Sequence, residues 1–80
     1  MNVSEAVASR INELLVQKHL TLYKLGIISC IPHETIKSII KGKARGVNLK
    51  TVIAIADGFG MSISEFLDTD LFKYDNLELD

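Results

Sequence analysis

Eighty residues with 48% hydrophobic side chains and a net charge of −1 make one small domain, long enough to bury a core of its own. Its apolar runs last only a few residues, far short of the roughly 18 that span a bilayer, and no basic segment followed by an apolar core opens the chain, so neither a membrane span nor a secretory signal is expected. Cys30 is the single cysteine, which excludes an internal disulfide and suits a reduced, cytoplasmic protein.

The first helix is predicted from Asn2 to Lys18. Val7, Ile11, Leu14 and Leu15 form its apolar stripe by 3.6-residue spacing, with Arg10 and Lys18 outside it. Asn2 and Glu5 have the spacing of a capping box, with Ser4 a rival cap. The second helix runs from Thr21, whose hydroxyl suits an N-cap, to Ile28 or Ser29. Leu25 and Ser29 face the core. Tyr23 and Ile27 lie four apart on its outer side, and Ile28 is only partly covered, which is more apolar surface than a solvated helix needs. These are either scattered surface hydrophobes or a contact with another chain.

The third helix runs from Pro32, at home in a first turn, to Lys41, and stops at Gly42, which suits a left-handed cap. Leu25, Ile31, Ile36 and Ile39 supply an inward face shared by the second and third helices. His33, Glu34, Lys37, Ser38 and Lys41 fall on the outward face of the third. A loop with Lys43, Arg45 and Gly46 follows. The fourth helix spans Leu49 to Gly58, capped by Asn48, with Leu49, Val52, Ile55, Ala56 and Phe59 inward and Gly58 and Gly60 ending it. A capping box of Ser62 and Glu65 opens the fifth, from Ile63 to about Asp68, with Ile63, Phe66 and Leu67 inward. This makes residues 1–69 the domain and residues 70–80 an acidic, partly apolar tail, lying on its own domain or across a partner.

Near-zero net charge argues weakly against a nucleic-acid partner, but the charge is unevenly spread. Residues 1–50 carry eight Lys or Arg against three acids, and residues 51–80 carry one Lys against seven. Lys37, Lys41, Lys43, Arg45 and Lys50 run without an acid among them. Such a run is commonly just a solvated face. Here it lies on and just after the third helix, where a basic front and an acidic rear would steer the domain onto phosphate in one orientation.

No catalytic constellation is legible. There is no glycine-rich phosphate loop, Cys30 and His33 make only a lone pair of potential metal ligands, and the carboxylates cluster in the tail. No enzyme activity, cofactor, metal or small-molecule ligand is expected.

The order Leu20-Thr21, Leu25, a turn at Ser29-Cys30-Ile31, Thr35-Ile36 and a closing Gly42-Lys43 resembles the helix-turn-helix of the Cro and phage-repressor-like (Xre-type) regulators. The likeness continues through Arg10 to Leu15 and Leu49 to Leu67, and so covers about residues 3 to 68. The resemblance implies an all-α, compact five-helix lambda-repressor-like fold. It implies a sequence-specific regulator of transcription, more often a repressor, that binds double-stranded DNA as a homodimer with the third helix in the major groove. On that reading His33, Glu34, Lys37 and Ser38 are candidates for base edges. Thr21, Thr35, Lys41, Lys43 and Arg45 are candidates for phosphate. Three positions depart from the family pattern. Gly26 stands where alanine is usual, and a small residue there lets the two motif helices cross closely. Leu22 stands where a glutamine often touches DNA and cannot donate that hydrogen bond. Cys30 stands where the turn glycine takes a positive φ, so the turn is either strained or differently shaped. The alternative function is a protein-interaction or antitoxin-like module that keeps the fold with weak or no DNA binding.

Overall fold

The structure, a computed structural model, describes residues 1–42 and 46–78. Five α-helices follow one another among the described residues: α1 (Val3–Gln17), α2 (Leu22–Ser29), α3 (His33–Ile40), α4 (Leu49–Gly58) and α5 (Ile63–Leu67). Two single 3-10 turns come after them, Asp70–Phe72 and Tyr74–Asn76. Each expected helix is present; Asn2 and Pro32 stand outside α1 and α3 as N-caps, and side chains cap the starts of α1, α2, α4 and α5.

Asn2 and Glu5 close a reciprocal capping box at the start of α1, and Ser62 and Glu65 do the same for α5. Ser4, the rival cap, is instead buried inside α1. The hydrogen bonds from Ser62, its amide first and its hydroxyl second, hold the Glu65 carboxyl below its ordinary range. Thr21 Oγ1 accepts from the Lys24 amide at 3.1 Å, and Asn48 Oδ1 from the Thr51 amide at 2.8 Å. Pro32 stands just outside α3 as its N-cap, with extended backbone, and its carbonyl accepts the first helical bonds from Thr35 and Ile36.

The core is built from Val7, Ile11 and Leu14 of α1, Leu25 of α2, Ile36 and Ile39 of α3, Val52, Ile55 and Ala56 of α4, and Phe59 and Phe66. Three expectations from helical spacing need correcting. Arg10 is buried, because its guanidinium turns to the C-terminal end of α5. There Nε donates to the Phe66 carbonyl at 2.8 Å, and a terminal nitrogen donates to the Glu65 carbonyl at 3.0 Å. Glu13 pairs with the same guanidinium, so the buried charge is both neutralised and hydrogen-bonded. Leu49 is 63% exposed, since it sits in the first turn of α4 at the edge of the stripe formed by Val52, Ile55 and Ala56. Leu67 ends the short α5 about 100° around from buried Phe66 and is exposed as well.

The two motif helices cross closely. A Cβ on Gly26 would stand 3.3 Å from the Ile31 carbonyl oxygen and 3.8 Å from His33 Cα. Gly58 does more than end a helix. A Cβ there would meet Ser29 Cβ at 3.0 Å and Leu25 Cδ1 at 3.3 Å, so its missing side chain lets α4 lie against α2. The left-handed turn after α4 falls to Gly60, at φ 75°.

Cys30 holds the left-handed conformation at φ 59°, ψ 28°, so the turn keeps the glycine geometry and carries the strain of a side chain. A left-handed residue other than glycine is disfavoured by about 1–2 kcal/mol. Glycine loses about 0.4–1 kcal/mol through the greater freedom of its unfolded chain. Because Cys30 is exposed, its removal forfeits no packed contact. Cys30→Gly is therefore expected to stabilise the domain by about 1 kcal/mol, seen as a rise of roughly 4–8 °C in Tm. An unchanged or lower Tm would mean that this turn is not strained.

The described part of the tail, residues 70–78, touches the rest of the chain at two places. Phe72 packs against the core with its ring centroid 6.1 Å from that of Phe66. The Glu78 amide donates to the Met1 carbonyl at 2.9 Å, joining residue 78 to the segment just before α1.

Candidate nucleic-acid interface

Helix α3 contributes only Ile36 and Ile39 to the deep core, and the rest of its surface divides by angle. At about 100° per residue, Glu34, Ser38 and Lys41 fall within a narrow outward sector. Lys37 and His33 lie on one flank of it, and Thr35 lies on the other.

On the Thr35 side, α3 faces the start of α4 across an open groove of about 390 Å³. Glu34, Thr35 and Ser38 line one wall, and Gly46, Val47, Asn48 and Thr51 line the other. Asn48 Oδ1 accepts from the Thr51 amide, capping the start of α4 at this groove. The hydroxyls of Thr35, Ser38 and Thr51 and the Asn48 side chain make its lining polar, and such groups commonly contact the backbone of a nucleic acid. Thr35, a phosphate candidate, thus shares a groove with the base candidates Glu34 and Ser38.

The other candidates are distributed around this groove. His33 is exposed at the first position of α3, and its ring lies 6.1 Å from that of Tyr23 on α2, tilted by 58°. Lys37 is half-buried on the same flank. Lys41 is exposed at the far end of α3, beside a second depression shared with Glu5, Ser9 and Asn12 of α1. Thr21 is exposed at the start of α2, its oxygen accepting the capping bond, and among the described hydrogen bonds its hydroxyl donates none. Lys43 and Arg45 lie outside the described residues. Leu22, at the position of the missing glutamine, packs against the core.

Spacing along the sequence did not bring Thr51 or Tyr23 to the site. Thr51 is signalled weakly, as a polar residue at the third position of the fourth helix, beside Lys50. Tyr23 is signalled only by being aromatic on a solvent-facing side. Among the described residues, no group of three or more His, Cys, Asp or Glu could hold a metal ion, and no helix is long and apolar enough to cross a membrane.

A family model described as a Cro/C1-type HTH DNA-binding domain matches residues 10–71, from within α1 to the first 3-10 turn. Comparison with curated proteins and with solved structures gives no match.

Proposed function

The chain belongs to the Cro/C1-type helix-turn-helix DNA-binding domains, and on that premise we propose that it is a sequence-specific repressor of transcription, cytoplasmic, binding DNA as a homodimer. The observation that supports this reading is the groove between α3 and the start of α4, where Glu34, Thr35 and Ser38 of α3 face Asn48 and Thr51 across one opening. Helix α3 enters the major groove. His33, Glu34, Lys37 and Ser38 approach base edges, and Thr21, Thr35, Lys41, Lys43 and Arg45 hold phosphate. Two-fold pairing is supported by a size argument. One recognition helix reads only a few base pairs, and two such helices placed about 34 Å apart read enough for selectivity. Sedimentation with and without the selected DNA tests it, and a strict monomer in both states removes the dimer.

Glu34 separates base reading from backbone holding. A carboxylate is repelled by phosphate and can accept from the exocyclic amine of cytosine. It also sits in the first turn of α3, where the helix dipole alone favours it by about 0.3–1 kcal/mol. Glu34→Ala is expected to change the preferred base at one position per half-site, by roughly 1–3 kcal/mol. Lys41→Ala is expected to weaken binding about equally on all sequences. Binding-site selection on the parent and both variants is the test. If Glu34→Ala selects the parent's sites, Glu34 reads no base.

A second reading, a protein-interaction or antitoxin-like module, is favoured by the exposed side chains of Tyr23, Ile27 and Ile28. Absence of DNA affinity at low salt across a broad fragment library would select it.

A further inference from the structure

Tyr23 is 67% exposed, yet its ring is not free in solvent. It leans across the helix-turn-helix onto the imidazole of His33, 6.1 Å between centroids at a tilt of 58°. That distance and tilt lie in the range of attractive aromatic pairs, which favour edge-on and offset arrangements. The contact joins the outer side of α2 to the first residue of α3. From below, the backbone of the same residue is set by Gly26, where a Cβ would stand 3.8 Å from His33 Cα. The close helix crossing thus places the His33 backbone, and the Tyr23 ring bears on its side chain. Among the described hydrogen bonds, none holds the imidazole. Leu22, the residue before Tyr23, is turned to the core.

We propose that Tyr23 is the positioning residue for His33: its ring selects the imidazole rotamer that faces the DNA, and so sets the base preference at one end of each half-site. This rests on the DNA-reading function proposed above. An imidazole on an exposed first helical turn can adopt several rotamers, of which only some present a nitrogen to a base edge. An aromatic neighbour on a second helix removes some of those choices without touching DNA itself. The ring is what matters, so phenylalanine replaces tyrosine in this role and alanine does not.

Two measurements test this on the full chain. In the free protein, the His33 imidazole proton resonances report the neighbouring ring current. They are expected to move in Tyr23→Ala and to stay near the parent's in Tyr23→Phe. In binding-site selection, His33→Ala is expected to lower the preference at one base position by about tenfold or more. Tyr23→Ala should lower the preference at the same position by severalfold, Tyr23→Phe should keep it, and the double alanine variant should lose no more than His33→Ala. Because Tyr23 is mostly exposed, its variants are expected to fold, which their Tm values check. If the parent selects a site and Tyr23→Ala keeps the full preference at the His33 position, the proposal is overturned while DNA reading stands. The same holds if His33→Ala changes no base preference. If the parent selects no sequence at all, the DNA-reading function fails and takes this role with it.

Discussion

Raising the salt from 50 to 200 mM is expected to lower affinity for the selected DNA site by about three orders of magnitude. Lys41, Lys43 and Arg45 in each of two subunits would neutralise six phosphates. At about −0.9 in log–log slope per contact, the expected slope is about −5.4, and a fourfold rise in salt then weakens binding roughly 2,000-fold. A monomer with three contacts would show a slope of only about −2.7 and lose roughly fortyfold. The slope reports the total number of phosphate contacts, and sedimentation supplies the number of subunits that share them. Lys41→Ala should make the slope shallower by about one per subunit. A slope near zero would remove these side chains from the phosphate backbone, whatever else binds.

The second large effect is on folding. Phe66→Ala is expected to destabilise the domain by about 3–5 kcal/mol, the usual loss when a large aromatic side chain leaves a packed core. An 80-residue domain has a total stability of about 4–12 kcal/mol, so a quarter or more is at stake. Phe66 is completely buried, with Arg10 stacked 5.9 Å from its ring centroid on one side and Phe72 beside it on another. A cavity there loosens α1, α5 and the tail together. Urea unfolding followed by circular dichroism measures the loss. Leu67→Ala, one residue on and 37% exposed, is the control and should cost well under 1 kcal/mol. Equal costs at the two positions would mean that α5 does not pack as described.

Much of the architecture is legible in the sequence. The capping residues Asn2, Thr21, Asn48 and Ser62 mark helix starts because their side chains bond to amides only three positions away, and all four do so. Apolar spacing identified Val7, Ile11, Leu14, Leu25, Ile36, Ile39, Val52, Ile55 and Phe66 as core because periodicity is a property of one helix at a time. It erred at Leu49 and Leu67, which stand at the ends of their helices, where the stripe runs past the neighbour it was meant to cover.

What the sequence by itself determined, then, is the set of helices, their caps, the inward stripe of each, and the polar outward face of α3. Each of these depends on residues within a turn or two of one another. Tertiary structure alone decided the rest. Arg10 reaches carbonyls 55 and 56 residues away, and nothing near it in the chain announces a buried cation. Gly58 is small because Ser29 lies against it, a contact made only when α2 and α4 pack. The groove that gathers Glu34, Thr35 and Ser38 with Asn48 and Thr51, and the ring of Tyr23 against His33, exist only where separate helices meet. A one-dimensional pattern records which face a helix buries, but the identity of the neighbour is settled by how several such faces close on one core.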